Sequence, residues 1–472
     1  MSSFESSAGA QALLGLSTTP AGPRLTVQVG SGTDVGGGSE NQDDYFVCSI
    51  GNDIDPIVIM CVLDGHGREV GKIAANSAKD ALIVFFHENY ANLRDNPYET
   101  LVKAHEVAHS KIKEAFQRAL NDRGFEVQEA EGGYLRKRPK DSINSNWGCV
   151  HGGSSCSILA LIGTKCYIAN VGDSSGILCS EKAVLSQDYL VALGDAATGT
   201  RGINGGNGGV AGGAMDVDGG IAGMKDTLVI TAEHSAESVE EYVRLRRYRP
   251  SEKDANYPSL LVVYDSPSQE KRYCPEVFSL DASGNPSVTE NGRYYKNVRK
   301  EWASLVSTPK EAEFPDALAF TRSLGDLHLS TYGVTHLPEV ACVDLGLLLG
   351  GVAQNSLVGA RKGTRGVGAG NAEQTQLLCI VLATDGVWDN WVYSDVQKFV
   401  MDSSCVQAVL ESGEGGSRVT QSFMQRNAVY ARRNFGRQAD NATGVICYLT
   451  NDGALFASNP GNSTGAATAA HP

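Results

Sequence analysis

Hydrophobic positions along this chain fall into short unbroken apolar runs and longer stretches with apolar residues three or four apart. The clearest run, Ile57 to Leu63, stops at Asp64-Gly65-His66-Gly67. It is too short for a buried helix, and Ile57, Val58, Ile59 and Val62 are β-branched, so it predicts a buried strand. A second run, Leu377 to Ala383, leads through Thr384 into Asp385-Gly386, and a third, Val445 to Leu449, is preceded by Asp440-Asn441. Cys156 to Ile162 and Cys166 to Val171, joined by Gly163-Thr164-Lys165, predict a hairpin too apolar to face water on either side. Its second strand runs into Gly172-Asp173-Ser174-Ser175. Leu25, Val27 and Val29 alternate as in a half-buried strand, and Phe46 to Ile50 pairs as a hairpin with the Ile57 strand across Gly51-Asn52-Asp53.

Helical spacing appears over Arg68 to Tyr90 (Val70, Ile73, Ala74, Ala78, Leu82, Phe85) and over Thr100 to Asp122 (Ala104, Ala108, Ile112, Phe116, Leu120). Two further helices are predicted over Ser394 to Ser403 and Ser417 to Asn434. Residues 123–147, with Arg136-Lys137-Arg138-Pro139-Lys140, read as a basic exposed loop, and 235–317 as a polar, charge-rich segment. Within the second helix, His105-Glu106-Val107-Ala108-His109 has the HExxH spacing that can place two imidazoles on one zinc. Two histidines flanking a helix's apolar stripe account for the same spacing, and nothing nearby supplies a third ligand.

Composition changes this picture in three places. Many of the 54 glycines fall in two low-complexity stretches, about 194–223 and 350–373, which read as insertions into one domain spanning 23–450. Residues 1–22 and 451–472 read as disordered arm and tail. A net charge of −14 argues against an electrostatic grip on nucleic acid or an anionic membrane, and no run approaches the ~18 apolar residues of a membrane span. The N-terminal stretch lacks the basic region of an export signal, and Ser2 is not the glycine that myristoylation needs. The 11 cysteines, several inside apolar runs, lack CxxC pairs. They read as buried thiols in a reducing compartment, so cytoplasm or nucleus is the expected location, and a monomer the expected state.

Carboxylates set at the ends of buried strands are held rigidly at a rim, where hard oxygen ligands suit Mg²⁺ or Mn²⁺. Two such ions can acidify a water and neutralise a phosphoryl group, and an adjacent acid, His66, can protonate the leaving oxygen. Any single Asp-Gly is ordinarily a turn; the repetition of an apolar run ending in Asp-Gly is what points to a site.

With these residues in view, the chain resembles the metal-dependent type 2C (PPM) protein serine/threonine phosphatases. The matching stretches are Asn41-Gln42-Asp43, Val62 to Gly67, Gly152 to Ser155, Ala169 to Ser174, Thr231 to His234, Thr321 to Asp326, Leu382 to Asp389 and Asp440 to Thr443, in the family's order. The resemblance implies an α+β fold, a four-layer α-β-β-α sandwich of two antiparallel sheets flanked by helices, with a site for two Mn²⁺ or Mg²⁺ ions at one end. It implies Asp64, the Gly65 carbonyl, Asp385 and Asp440 as metal ligands and Asp43 as holder of metal-bound water. Asp173 would join Asp385 at a weaker third ion, His66 would be the general acid, and 235–317 would be a flap beside the cleft. Asp326 reads as a loop organiser and His234 as a packed structural residue. The implied activity is hydrolysis of phosphoserine and phosphothreonine in protein substrates by a metal-activated water.

Departures from the pattern leave rival readings open. Gln42 stands where many members carry glutamate, and Gly38 where an arginine often grips phosphate. Ser175 replaces an arginine, and Glu233 and Ser235 flank His234 in place of Asp and Lys. Arg24 or the basic side chains at 136–140 or 244–249 are candidate substitutes for the phosphate contact. The alternatives are a partner-binding pseudophosphatase, a hydrolase of another phosphate ester, and a zinc peptidase on His105 and His109.

Overall fold

The computed structural model describes residues 14–16, 25–52, 55–130, 135–139, 146–181, 185–201, 226–251, 257–350 and 377–451. The strands that matter for the site are β1 (Leu14–Leu16), β2 (Leu25–Asp34), β3 (Asp44–Ile50), β4 (Ile57–Leu63), β5 (Cys156–Ile162), β6 (Lys165–Val171) and β7 (Ser175–Ser180). They continue with β8 (Leu190–Asp195), β9 (Thr227–Val229), β10 (Glu339–Asp344), β11 (Leu377–Ala383) and β12 (Ala442–Asn451). One sheet has six strands in the order β1-β2-β12-β11-β7-β9. The other has seven, β3-β4-β5-β6-β10-β8 and the short Thr200–Arg201 at its edge. The ladders in both are antiparallel.

Period-two alternation in the apolar strands builds the layers. Ile57, Ile59, Cys61 and Leu63 of β4 pack with Ala74, Ala78 and Leu82 of α1 (Gly71–Glu88) and Ala104, Ala108 and Ile112 of α2 (Pro97–Asp122). Val58, Met60 and Val62 point the other way, into a core shared with Leu378, Ile380 and Leu382 of β11 and Val445, Cys447 and Leu449 of β12. The opposite faces of those strands, Cys379, Val381, Ile446 and Tyr448, meet a second helical layer. That layer is α4 (Tyr393–Val400), α5 (Ser403–Glu411) and α6 (Gly415–Phe435). The result is the expected helix-sheet-sheet-helix sandwich. Among the described residues no helix is long and apolar enough to cross a membrane.

Several local expectations differ. Residues 125–139, expected as a loop, form a hairpin of Phe125–Glu129 with Leu135–Pro139, extended by Gly148–Cys149. Its charged side chains stay in strands by covering aromatic rings, Lys137 over Phe125 at 5.1 Å and Arg138 over Trp147 at 5.0 Å. The glycine-rich stretch from 194 opens on a strand pair, Gly194–Asp195 with Thr200–Arg201, and 202–225 lies outside the described residues. Likewise 351–376 and 452–472 lie outside them, while Leu14–Leu16, within the expected arm, pairs with β2.

The segment expected as a flap is a packed module rather than a polar loop. Leu245, Val262, Tyr264, Val277, Phe278 and Val306 form its own core around strands Leu261–Tyr264 and Ser304–Ser307 and helix α3 (Val239–Arg247). It is tied to the sandwich by Arg322, 1% exposed, which binds Glu241 of α3, Asp195 of β8 and Glu339 of β10.

Candidate active site

Strand register puts five aspartates at one end of both sheets. Asp44 opposes Leu63, Ser157 opposes Val62, and Cys156 opposes Val171, so Asp43, Asp64 and Asp173 leave the seven-stranded sheet at the same rim. Ser175 opposes Ala383, and Ala383 opposes Gly444, which brings Asp385 and Asp440 to that rim from the six-stranded sheet. The turn 172–174 between β6 and β7 crosses from one sheet to the other and carries Asp173 with it.

Each strand end is fixed by short polar side chains. The Ser155 amide donates to the Asp64 carbonyl at 2.9 Å, and Ser155 Oγ accepts from the Asp64 amide at 3.2 Å and meets Ser174 Oγ at 2.7 Å. Thr384 Oγ1 donates to Asp43 Oδ2 and accepts from the Thr443 amide, both at 2.9 Å. The Asn441 side chain accepts from the Gln42 amide and donates to the carbonyls of Val35 and Glu40, closing the 35–42 loop over the site. Gly386 is required because a Cβ there would lie 1.9 Å from the Asn441 carbonyl oxygen. At Gly65 a Cβ would meet the carbonyls of Gly71 and Gln42 at 2.4 and 2.5 Å.

Carboxylate oxygens of Asp64, Asp173 and Asp385 all lie within 4.8 Å of one another. Asp43 and Asp440 complete the electrostatic cluster without joining that trio. Burial, reinforced by Asp385, Asp43, Asp440 and Asp173, pushes the Asp64 carboxyl far above the usual carboxylate range. Asp385 is raised in the same way by burial, Asp173, Asp389 and Asp440. Burial carries Asp43 up to about 7 against hydrogen bonds that pull it down, and raises Asp173 and Asp440. Buried oxygens of Asp43, Asp173 and Asp385 have no hydrogen-bond partner. Desolvated, mutually repelling carboxylates with orphaned oxygens are what divalent cations relieve, so the donor set fits Mn²⁺ or Mg²⁺.

His66 sits beside this cluster, edge-on to Phe320 at 5.2 Å. Its Nε2 is 2.7 Å from Asp326 Oδ2, and its Nδ1 is buried without a partner. Burial disfavours the imidazolium, but the charge and hydrogen bond of Asp326 outweigh it and the ring's pKa is raised. Ser323 Oγ donates to the same Asp326 oxygen at 2.5 Å, and the Asp326 amide donates to the Gly152 carbonyl at 2.9 Å. Asp326 therefore does more than organise a loop: it is the partner of His66.

Other expectations resolve differently. Gln42 uses its amide nitrogen to donate to the Gly67 carbonyl at 3.1 Å. Arg244 is committed to Glu241, Gly333 and Thr321, and Arg136 to Glu313; Arg24 lies outside the described residues. His105 is buried with Nδ1 donating to Leu101, while His109 accepts from the Gly325 amide and stacks on His336 at 4.1 Å. Neither belongs to the acidic cluster, and the metal-capable group among the described residues is the aspartate trio. One residue not singled out in sequence lies next to the site: Asp389, at the end of the short helix Asp385–Trp388, is raised to about 7 by burial.

Residues 52–191 match the family model for protein phosphatase 2C. No curated protein matches the chain. Similar solved structures include serine-threonine phosphatase 2C from Toxoplasma gondii, at 14% identity and a TM-score of 0.46, covering 93% of this chain and 98% of that one. Another is the serine/threonine phosphatase of S. agalactiae, at 12% identity, TM-score 0.40, and coverage of 89% and 98%. A third is the catalytic domain of the serine threonine protein phosphatase PstP in complex with two manganese ions, at 12% identity, TM-score 0.35, and coverage of 90% and 99%. Over residues 52–191, then, the chain is similar to protein phosphatase 2C.

Proposed function

We propose that the chain hydrolyses phosphoserine and phosphothreonine in protein substrates at the aspartate-lined rim, with two divalent ions, Mn²⁺ or Mg²⁺. The observation that carries this reading is the convergence of Asp64, Asp173 and Asp385 oxygens within 4.8 Å, with orphaned buried oxygens among them. Asp64, Asp385, Asp440 and the Gly65 carbonyl are the residues proposed to hold the ions, with Asp43 orienting water and Asp173 lending charge. Bound there, divalent cations would supply positive charge for the phosphoryl oxygens and acidity for an attacking water.

His66 is the proposed general acid. Its Nε2 donates to Asp326, which leaves Nδ1 as the atom that delivers a proton to the departing seryl or threonyl oxygen. The Asp326 carboxylate fixes the ring's orientation and favours the charged form that has a proton to give. The buried, unpaired thiols favour a reducing compartment, and we place the reaction in cytoplasm or nucleus.

Turnover of a phosphothreonine peptide by the purified chain in Mn²⁺, lost in Asp64→Ala, tests the proposal. Gln42, whose amide nitrogen is spent on the Gly67 carbonyl, favours the second reading of a partner-binding pseudophosphatase. Folded wild-type chain that turns over no faster than Asp64→Ala would establish that reading instead.

A further inference from the structure

A groove of about 880 Å³ opens where the tip of the flap meets helices α4 and α6. The tip is a turn in which Tyr295 bridges to Trp302, and it is anchored by hydrogen bonds to backbone. The Val298 amide donates to the Asp389 carbonyl at 3.1 Å, and Arg299 donates to the carbonyls of Trp388 and Trp391. The chain that follows Asp385 lines the groove through Asn390 and Trp391, so the groove adjoins the element that carries a proposed metal ligand. Aromatic rings line it too. Trp391 lies 4.8 Å from Tyr430 and 5.9 Å from Phe399, centroid to centroid, and Val298 is 40% exposed beside them.

The charge around this groove runs against that of the chain. Net charge is −14, yet Gly415 to Gln438 holds five arginines and no aspartate or glutamate. Two of the five, Arg426 and Arg433, line the groove; both are exposed, and among the described residues neither has a carboxylate partner. Arg426 lies over the Phe399 ring at 5.2 Å, which holds the guanidinium in place without neutralising it. The other charges of the groove are engaged. Lys398 pairs with Asp395 at 3.0 Å, and Asp402, the cap of α5, accepts from the Ser404 amide at 3.0 Å. Seven residues along one helix set the two arginines two turns, about 10 Å, apart on the same face, with Tyr430 between them.

We propose that this groove docks an acidic segment of a phosphoprotein substrate, apart from the phosphorylated residue itself. An extended chain rises about 3.3 Å per residue, so carboxylates three positions apart match the two guanidiniums. An apolar side chain between those carboxylates then covers the aromatic rings. Tryptophan, tyrosine and arginine are the side chains that dominate binding at such surfaces. A nucleic acid fits less well, because a chain of charge −14 repels a polyanion and Trp391, 4% exposed, offers no open ring face to a base. A protein held in the groove is retained beside the chain that carries Asp385. That the docked protein is a substrate rests on the phosphatase reading given above.

Fluorescence polarisation of a labelled peptide, Gly-Glu-Ser-Leu-Glu-Gly, with the full chain tests the groove without any assay of turnover. Arg426→Ala combined with Arg433→Ala should weaken binding about tenfold, the order expected of two exposed charge pairs. Added salt should weaken it in the wild type. Arg426→Glu combined with Arg433→Glu should refuse that peptide and bind Gly-Lys-Ser-Leu-Lys-Gly, an exchange that damage to the fold could not produce. In turnover, a phosphothreonine peptide joined by a flexible linker to the glutamate segment should show a KM about tenfold below that of the bare phosphopeptide, with kcat unchanged. The double alanine variant should lose that advantage. Equal affinity of the wild type and the double alanine variant would overturn the proposal. Binding of oligouridylate in place of the peptide would overturn it in favour of RNA, and an arginine-dependent dimer that excludes the peptide in favour of a second copy. One KM for both phosphopeptides would overturn the assignment to substrate. Peptide binding as expected with no turnover of either phosphopeptide would instead overturn the phosphatase reading and leave the docking surface standing.

Discussion

Nε2 of His66 lies 2.7 Å from Oδ2 of Asp326, a residue 260 positions further along the chain. The contact fixes the orientation of an imidazole that stands two residues after Asp64. On the proposed function, Asp326 would act on the reaction through the ring, as a positioning residue. Asp326→Asn should lower kcat by about 10–100-fold for alkyl phosphates, the order expected when a general acid is misoriented. p-Nitrophenyl phosphate, whose leaving group needs no proton, should lose much less. Equal losses for both substrates would show that Asp326 serves only the fold.

Gly153 makes this pair possible. A Cβ at that position would lie 2.5 Å from Asp326 Oδ2 and 2.4 Å from the Leu324 carbonyl, and the latter is backbone that cannot swing aside. Gly153→Ala should therefore displace Asp326, with the same leaving-group dependence as Asp326→Asn. Overpacking of this kind costs about 1–3 kcal/mol, which denaturant unfolding would read.

The acidic rim gives the protein an inverted pH response when metal is removed. Burial raises Asp43 and Asp389 to about 7, above the unfolded range near 3.8. Stability from such groups is complete below the unfolded pKa and is lost as pH rises towards the folded one. In chelator, the contribution of these two residues should decline between about pH 4 and pH 7, and Asp389→Asn should flatten that decline. Mn²⁺ should raise the melting temperature by an amount that grows over the same interval. Thermal unfolding with chelator and with Mn²⁺ measures both.

Arg322 predicts a response of opposite sign. It is 1% exposed and bound to Glu241, Asp195 and Glu339, and Arg322 and Arg244 hold the Glu241 carboxyl well below its usual range. Arg322→Met strands buried carboxylates and should cost about 3–5 kcal/mol. In the wild type, the stability owed to Glu241 is present above about pH 4.5 and is lost as pH falls. Adding Glu241→Gln to Arg322→Met should recover part of the loss, which chemical denaturation at neutral pH would show.

The strand-end aspartates were legible because an apolar run ending in Asp-Gly fixes both a strand and the place where it stops. Asp64 and Asp385 announce themselves in that way, and Asp173 follows from the apolar hairpin before it. The His66–Asp326 contact was not legible, since Asp326 lies in a loop whose partner is set by tertiary packing. The turn at 295–302 sits in a segment without helical or strand rhythm, and its place depends on Val298 and Arg299 docking on a distant helix. The hairpin at 125–139 was hidden by its charge, because cation–π contacts to Phe125 and Trp147 leave no apolar alternation to read. Helix α5 was missed for a simpler reason: it follows α4 after only two residues, with Asp402 as its cap.

The central claim is that carboxylates from two sheets, far apart in sequence, share divalent cations. Anomalous scattering at the manganese edge, from crystals grown in Mn²⁺, addresses it most directly. The account predicts manganese peaks among the carboxylates of Asp64, Asp385 and Asp440, lost in Asp64→Ala. Well-ordered crystals of the wild type with no manganese at that rim would contradict it.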